Sequence, residues 1–599
     1  MESKTLDSFN AKYLDSDDFK RTFVPSSSFD KVAKNAPVLV VGARGSGKTT
    51  LLKMLSNDIL PFWEHENSDS YRKSIKLEGI YVPADSVWGD RIRALRKSGC
   101  CEHASELFAS TVFSTNVYLC TIDAISRSLN IDVQENLQVD KNLSDRLKKS
   151  IKSIADYLQL DIDSHSLTSI KHSLRKRMNF LGEYAKKTAI KGGLTIESLE
   201  KDIPFIYMEL DSTLESILDC YDEVFSRQGL RWAVLLDEFE VAPEALQKDI
   251  IRKLRSQSKK HLYKIALVPC GRHLDSNHIV SAKNDYEVLQ LWSRSFEQNK
   301  AFCRDILQSR FNISDPESIF GESDFVEVNK IDPQLLGSSF QELYEKDQEF
   351  RKYIDRKGFI IGELYTDSPK VDELRKIGPE VIFRNFFKNS KGSIKRRDTL
   401  DDFYSGWNAI VKISEGNPRW IMATISSLVD HIKSSGKKTI SKSIQAREIK
   451  LTTNAFKSMI ATTALEDNMG ITTKTAPIVL IEKLVDYIKD QNLGTDFKAN
   501  PYGKFEIDRN VNEDFRSALR IAFNHGAIIA LDQPQGNDIW SLRDLENKTF
   551  RLSYLLSAAY SLPLRHGKKV KLSLALSAGS EIPGMELIRK KPNQGDLFL

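Results

Sequence analysis

The sequence predicts an α/β fold, a parallel sheet covered by helices on both faces, and three observations carry that expectation. Residues 37–55, PVLVVGARGSGKTTLLKML, read as a buried strand, a glycine-rich turn and a helix starting near Lys48. Residues 232–236, WAVLL, form a second unbroken apolar run, which ends in Asp237 and Glu238. A helical pattern over 243–256 and another apolar strand over 263–268 then follow in alternation. Strands buried on both faces appear as continuous apolar runs, and helices between them are the usual way to connect parallel strands.

The turn at Gly42, Ala43, Arg44, Gly45, Ser46, Gly47, Lys48, Thr49 and Thr50 fits G-x-x-x-x-G-K-[ST], the phosphate loop called Walker A. Glycines at 42, 45 and 47 let successive backbone N–H groups point inward around phosphate oxygens without Cβ clashes. The following helix N-terminus adds partial positive charge. Lys48 is placed to reach the β- and γ-phosphates of ATP, and the Thr49 hydroxyl to hold Mg2+. Hydrolysis needs a second half-site. Asp237, at a strand's C-terminal end, suits the Mg2+ shell, and Glu238 beside it is placed to polarise the attacking water. A glutamate directly after that aspartate resembles P-loop ATPases with an extra strand between the two motifs. The resemblance makes KIALVPCGRH (264–273) the candidate strand, and its end offers Cys270, Arg272 and His273 where such proteins usually have an Asn, Thr or Ser that senses the γ-phosphate.

The remaining chain divides by pattern. Its 599 residues, 41% hydrophobic and 28% charged, are enough for several globular domains. No apolar run reaches the ~18 residues of a membrane span. The N-terminus has no basic and apolar leader pattern, so a cytoplasmic protein with no membrane partner is expected. Six cysteines without C-x-x-C spacing point to reduced thiols rather than zinc. Residues 1–30 read as an arm beside the nucleotide pocket, and 31–310 as the ATPase core, with a helical insertion at about 87–201. Within that insertion, Leu143 to Leu158 and Leu167 to Leu181 carry helical stripes, predicting two long helices packed against each other. Its basic run, Lys171 to Arg177, suits a solvated helix face, with a nucleic-acid contact as the alternative. A helical lid is expected over 311–446, and over 447–576 two helices followed by a hairpin, the pattern of a winged helix; 577–599 read as a flexible tail.

Together, Phe23–Pro25, GARGSGKTT, LLDEFE, the lid, EGNPRW and the terminal winged helix resemble the origin-recognition-complex-like branch of AAA+ P-loop ATPases, and the related STAND switch ATPases. By that resemblance Arg419 is sensor 2, a guanidinium at a helix start that reaches back to the γ-phosphate. The resemblance also implies a homo-oligomer in which a neighbour supplies an arginine finger; Arg272 and Arg294 are the candidates. RKI at 375–377, FR at 383–384 and EGNPRW look like bacterial members found in phage defence, which implies a partner effector. The alternative is a replication initiator or loader binding duplex DNA through Arg509, Arg516, Arg520, His525, Arg565, Lys568, Lys569 and Lys571. Finally, QGDLFL at 594–599 resembles a sliding-clamp docking peptide. No nuclease, protease or deaminase constellation is present in the sequence.

Overall fold

A computed structural model describes residues 16–83, 95, 101–135, 141–225, 230–255, 258–271, 285–292, 294–322, 333–361, 369–395, 403–436, 438–463, 465, 471–532 and 545–578. The sheet expected from the apolar runs is there. Strands β1 (Val38–Val41), β2 (Leu77–Val82), β3 (Arg231–Leu236), β4 (His261–Leu267) and β5 (Glu287–Gln290) form a five-stranded sheet in the order β2-β3-β4-β1-β5. Every pairing in it is parallel. β4 lies between the strand of the phosphate loop and the strand ending in Asp237, which brings both motifs to one edge.

Alternate residues of each strand feed two cores. Val38, Val40, Ala233, Leu235 and Ala266 pack on one face with helix Lys48–Met54, with Phe19 and Phe29 of the N-terminal segment, and with Trp63 beyond that helix. Leu39, Val41, Val234, Leu236 and Ile265 pack on the other face, against helix Glu102–Glu135 and the segments that follow. Period-two alternation therefore assigns each strand to both layers at once.

The insertion differs from the expectation. Helices Lys141–Tyr157 and Leu167–Lys191 form, but they do not chiefly pack on each other. The first lies along Leu210–Phe225, and the second along Glu102–Glu135, which itself covers β2. A stripe such as Ile151, Ile154 and Leu158 states that a face is buried and leaves the partner open. The basic run is partly structural. Arg177 is buried, donates to the carbonyls of Leu158 at 2.7 Å and Gln159 at 2.9 Å, and lies over the Phe205 ring, while Lys171 pairs with Asp123.

Beyond β5 come helices Phe296–Phe311, Trp407–Ser414, Pro418–Ser435 and Lys442–Ala461. Helices Pro333–Lys346, Gln348–Lys357 and Pro369–Phe387 gather around a separate core that includes Phe340, Phe350 and Ile354. Arg384 of the FR pair is fully buried there. It pairs with Asp347 at 2.6 Å and donates to the carbonyls of Asn492, Gly494 and Thr495, so it satisfies the C-terminal end of helix Pro477–Leu493.

The C-terminal region contains the two helices expected, Pro477–Leu493 and Glu513–Asn524, and then an antiparallel pair, β7 (Ile528–Ala530) with β8 (Thr549–Leu552). It also contains β6 (Tyr502–Glu506) and β9 (Lys568–Lys571), giving a four-stranded sheet in the order β7-β8-β6-β9. This is broader than the two-strand wing expected, and a single helix separates β6 from β7. The sliding-clamp-like peptide at 594–599 lies outside the described residues.

Candidate functional site

The phosphate loop leaves β1 at Gly42 and enters its helix at Lys48. Gly45 takes φ +84° and Gly47 φ +95°, left-handed values that L side chains rarely adopt, and these two turn the loop back on itself. Lys48 is only 6% exposed, and its Nζ donates to the carbonyls of Gly42 at 2.7 Å and Ala43 at 3.1 Å. Burial draws its pKa down, while Glu240, Asp237 and Glu238 oppose that shift.

Asp237 directly follows β3 and is 2% exposed. Its Oδ2 accepts from the Tyr81 hydroxyl at 2.9 Å, across from the neighbouring strand β2. The Thr49 side chain also favours its ionised form, whereas burial, the largest influence, raises its pKa. Its Oδ1 is buried with no hydrogen-bond partner among the described residues. Glu238 follows with φ 47° and ψ 39°, a left-handed conformation unusual for a glutamate, and caps the short turn Phe239–Val241. Strain of that kind is tolerated where the surroundings hold it, and it often marks a working residue. The turn folds Glu240 inward. It is buried, burial pushes its pKa up to about 7, and its Oε2 has no partner among the described residues.

Helix Pro418–Ser435 begins against the loop. Asn417 caps helix Pro418–Ser435 by accepting from the Arg419 N–H at 3.0 Å, with Pro418 in the first turn. A Cβ placed on Gly45 would lie 3.2 Å from Arg419 Cδ and 3.3 Å from its Nε, and one on Gly47 3.4 Å from Pro418 Cγ. Arg419 therefore lies across the phosphate loop. Glu415, at the start of EGNPRW, is gripped by Arg551 of β8 through two bonds, at 2.6 and 2.8 Å, and by the Tyr554 N–H at 2.6 Å.

Beside Ser46, Gly47 and Thr50 opens a mostly apolar cleft of about 780 Å³, counted out to open solvent, walled by Phe19, Phe23, Phe302 and Met422. Phe19 and Phe23, from the N-terminal segment, form one wall of it. Arg294 also lines this cleft. It donates to Ser28 Oγ at 3.1 Å and lies over the Phe302 ring, within the cleft of its own chain. Of the other candidates, Cys270 is buried at the end of β4, while Arg272 and His273 lie outside the described residues.

The proposed DNA-contact set is dispersed. Arg516 is buried, donating to the carbonyl of Val511 and pairing with Glu546 at 2.9 Å. Arg520 pairs with Glu513 and Arg565 with the buried Glu380. His525 is half-buried near Arg44, and its partial desolvation, with Arg44 adding to it, lowers its pKa to about 4. Arg509, Lys568, Lys569 and Lys571 keep exposed side chains, although Lys569 pairs with Glu506 and Arg509 with Glu546.

The donor set fits a magnesium nucleotide. A buried carboxylate oxygen without a partner, a hydroxyl beside it, a lysine, and two positive-φ glycines under an arginine are what a metal-bound triphosphate needs. Sequence reasoning missed Tyr81, Glu240 and the Glu415–Arg551 pair. Only the doubled acid in LLDEFE hinted at one of them.

Sheet order and site together define a P-loop NTPase with an additional strand between its two nucleotide motifs. A family model described as ORC-CDC6-like matches residues 4–572, and the chain belongs to that family of AAA+ ATPases. Among solved structures, the crystal structure of Cdc6p from Pyrobaculum aerophilum is similar over 92% of this chain and 99% of that chain, at 9% identity and a TM-score of 0.26. No curated protein matches the chain. Among the described residues no helix is long and apolar enough to cross a membrane, and no group of His, Cys, Asp and Glu could hold a metal by itself.

Proposed function

We propose that the protein is an ATP-hydrolysing molecular switch, the ATPase component of a bacterial anti-phage system that acts with a partner effector. The observation that carries the switch reading is the placement of Arg419 and Pro418 directly over Gly45 and Gly47. A lid in that position meets the γ-phosphate and reports its loss. Bound Mg2+ supplies charge neutralisation and orients the phosphate oxygens. The chain does the rest. Lys48 and the loop N–H groups hold the phosphates, Thr49 and Asp237 hold the metal, and Glu238 takes up the proton of the attacking water. Arg419 pairs with the terminal phosphate charge, and the cleft at Phe19 and Phe302 takes the base.

A self-assembled oligomer completes the reading, with the trigger acting through assembly or through the effector. The defence role rests on RKI, FR and EGNPRW. Its test is a phage challenge of a host carrying the intact system: Lys48→Ala abolishes protection, and unchanged protection makes nucleotide binding dispensable.

The second reading, a DNA-binding initiator or loader, is favoured by the exposed Lys568, Lys569 and Lys571 on edge strand β9. Binding through those side chains weakens steeply with salt. Absence of duplex binding at low salt removes this reading.

A further inference from the structure

We propose that Asn524 is a positioning residue of the nucleotide site, supplied by the C-terminal domain: it pins the end of β4 to the phosphate loop, so that loop shape and docking of that domain are coupled. This rests on the nucleotide-binding reading above.

Asn524 is the last residue of helix Glu513–Asn524 and is 1% exposed. Its Oδ1 accepts from the Cys270 N–H at 2.7 Å, and its Nδ2 donates to the Cys270 carbonyl at 2.9 Å. Its own backbone carbonyl accepts from the Arg44 N–H at 2.9 Å. One residue thus joins the C-terminal helix, the strand next to β1 and the loop that holds phosphate. A side-chain amide offers both an acceptor to the backbone N–H and a donor to the backbone carbonyl of the same residue, so neither Asp nor Leu replaces it. Cys270 stands where a polar side chain usually ends this strand, and the polar group that fixes the strand end here comes from a residue far along the chain.

The surroundings make the contact a docking face and not a lone bond. Phe523 meets the Trp292 ring edge-on at 5.3 Å, and a Cβ on Gly526 would lie 3.3 Å from Ala43 Cβ. The same domain grips the lid through Arg551 and Glu415. It therefore holds the loop from one side and the helix of Arg419 from the other. Whatever tightens the loop must tighten the docking, and docking must raise nucleotide affinity by the same factor.

Hydrogen exchange on the full-length protein, with and without Mg-ADP, tests this without any substitution. Slowed exchange both in 42–50 and in 513–530 is the expected result. Slowing confined to 42–50 overturns the coupling while leaving nucleotide binding intact. No slowing in either segment overturns the nucleotide reading and the proposal with it. In Asn524→Ala, ADP affinity should fall about tenfold, within the usual range of coupling between sites. ADP should then protect 42–50 alone. Asn524→Asp, which keeps the acceptor for Cys270 N–H, should fall between the two. Wild-type affinity with both segments still protected in Asn524→Ala overturns the assignment, and a purely structural role would lower stability while leaving the paired protection unchanged.

Discussion

Replacing Tyr81 by phenylalanine deletes one hydroxyl and leaves the packing of β2 in place. That hydroxyl donates at 2.9 Å to Oδ2 of a carboxylate that is almost fully buried. A hydrogen bond to a charged group contributes about 1.5–3 kcal/mol. Tyr81 is itself half-buried, so water partly replaces it and the lower end applies. Loss of a hydrogen bond that orients a metal ligand typically weakens metal binding by about 10–100-fold. The expected result is a Mg2+ concentration for half-maximal ATP hydrolysis about tenfold higher in Tyr81→Phe, with saturating turnover near wild type. Burial holds the Asp237 pKa up and Tyr81 holds it down, so the variant's Mg2+ requirement should worsen further as pH falls. A Mg2+ titration at two pH values reads both effects. An unchanged midpoint would mean that Asp237 does not depend on Tyr81 for its orientation, and the metal assignment would lose its main support.

Other perturbations separate the parts of the site. Glu415→Ala leaves the buried guanidinium of Arg551 without its carboxylate, and should cost about 3 kcal/mol in chemical denaturation; a loss below about 1 kcal/mol would rank the pair with surface ion pairs. His525 is held neutral, its pKa lowered to about 4 by burial and then by Arg44, against about 6.5 when unfolded. Between those values the unfolded chain binds the additional proton, so stability is present above about pH 6.5 and is lost as pH falls toward 4. By pH 5 the loss attributable to this residue is at most about 2 kcal/mol, and His525→Gln should remove it from the pH profile of unfolding.

What was legible in the sequence follows from how local each signal is. The phosphate loop needs eight consecutive positions and the metal strand needs seven, so neighbours along the chain specify both, and the alternating apolar runs specified the parallel sheet around them. The helix carrying Arg419 was legible from Pro418 in its first turn, while the role expected of Arg419 came from the resemblance of EGNPRW and not from local pattern. Tyr81, Glu415 with Arg551, and Asn524 with Cys270 were not, since each is a single polar residue whose partner is distant in sequence. β6 and β9 escaped for another reason. YGKFE buries only Phe505, and KKVK buries only Val570, so neither shows the apolar alternation of a strand, and the second read as a basic patch. The arginines of the C-terminal helix read as a DNA surface for the same reason: charge is visible in sequence, but its engagement with Glu546 and Glu513 is not.

The central claim is that this site turns ATP over with Glu238 acting on the water. Binding and hydrolysis of ATP with Mg2+, measured side by side for the wild type and Glu238→Gln, test it most directly. The account predicts equal binding and a turnover reduced by about 100-fold or more in the variant, the usual contribution of a general base. Equal turnover in the two proteins, or no hydrolysis by the wild type, would contradict it.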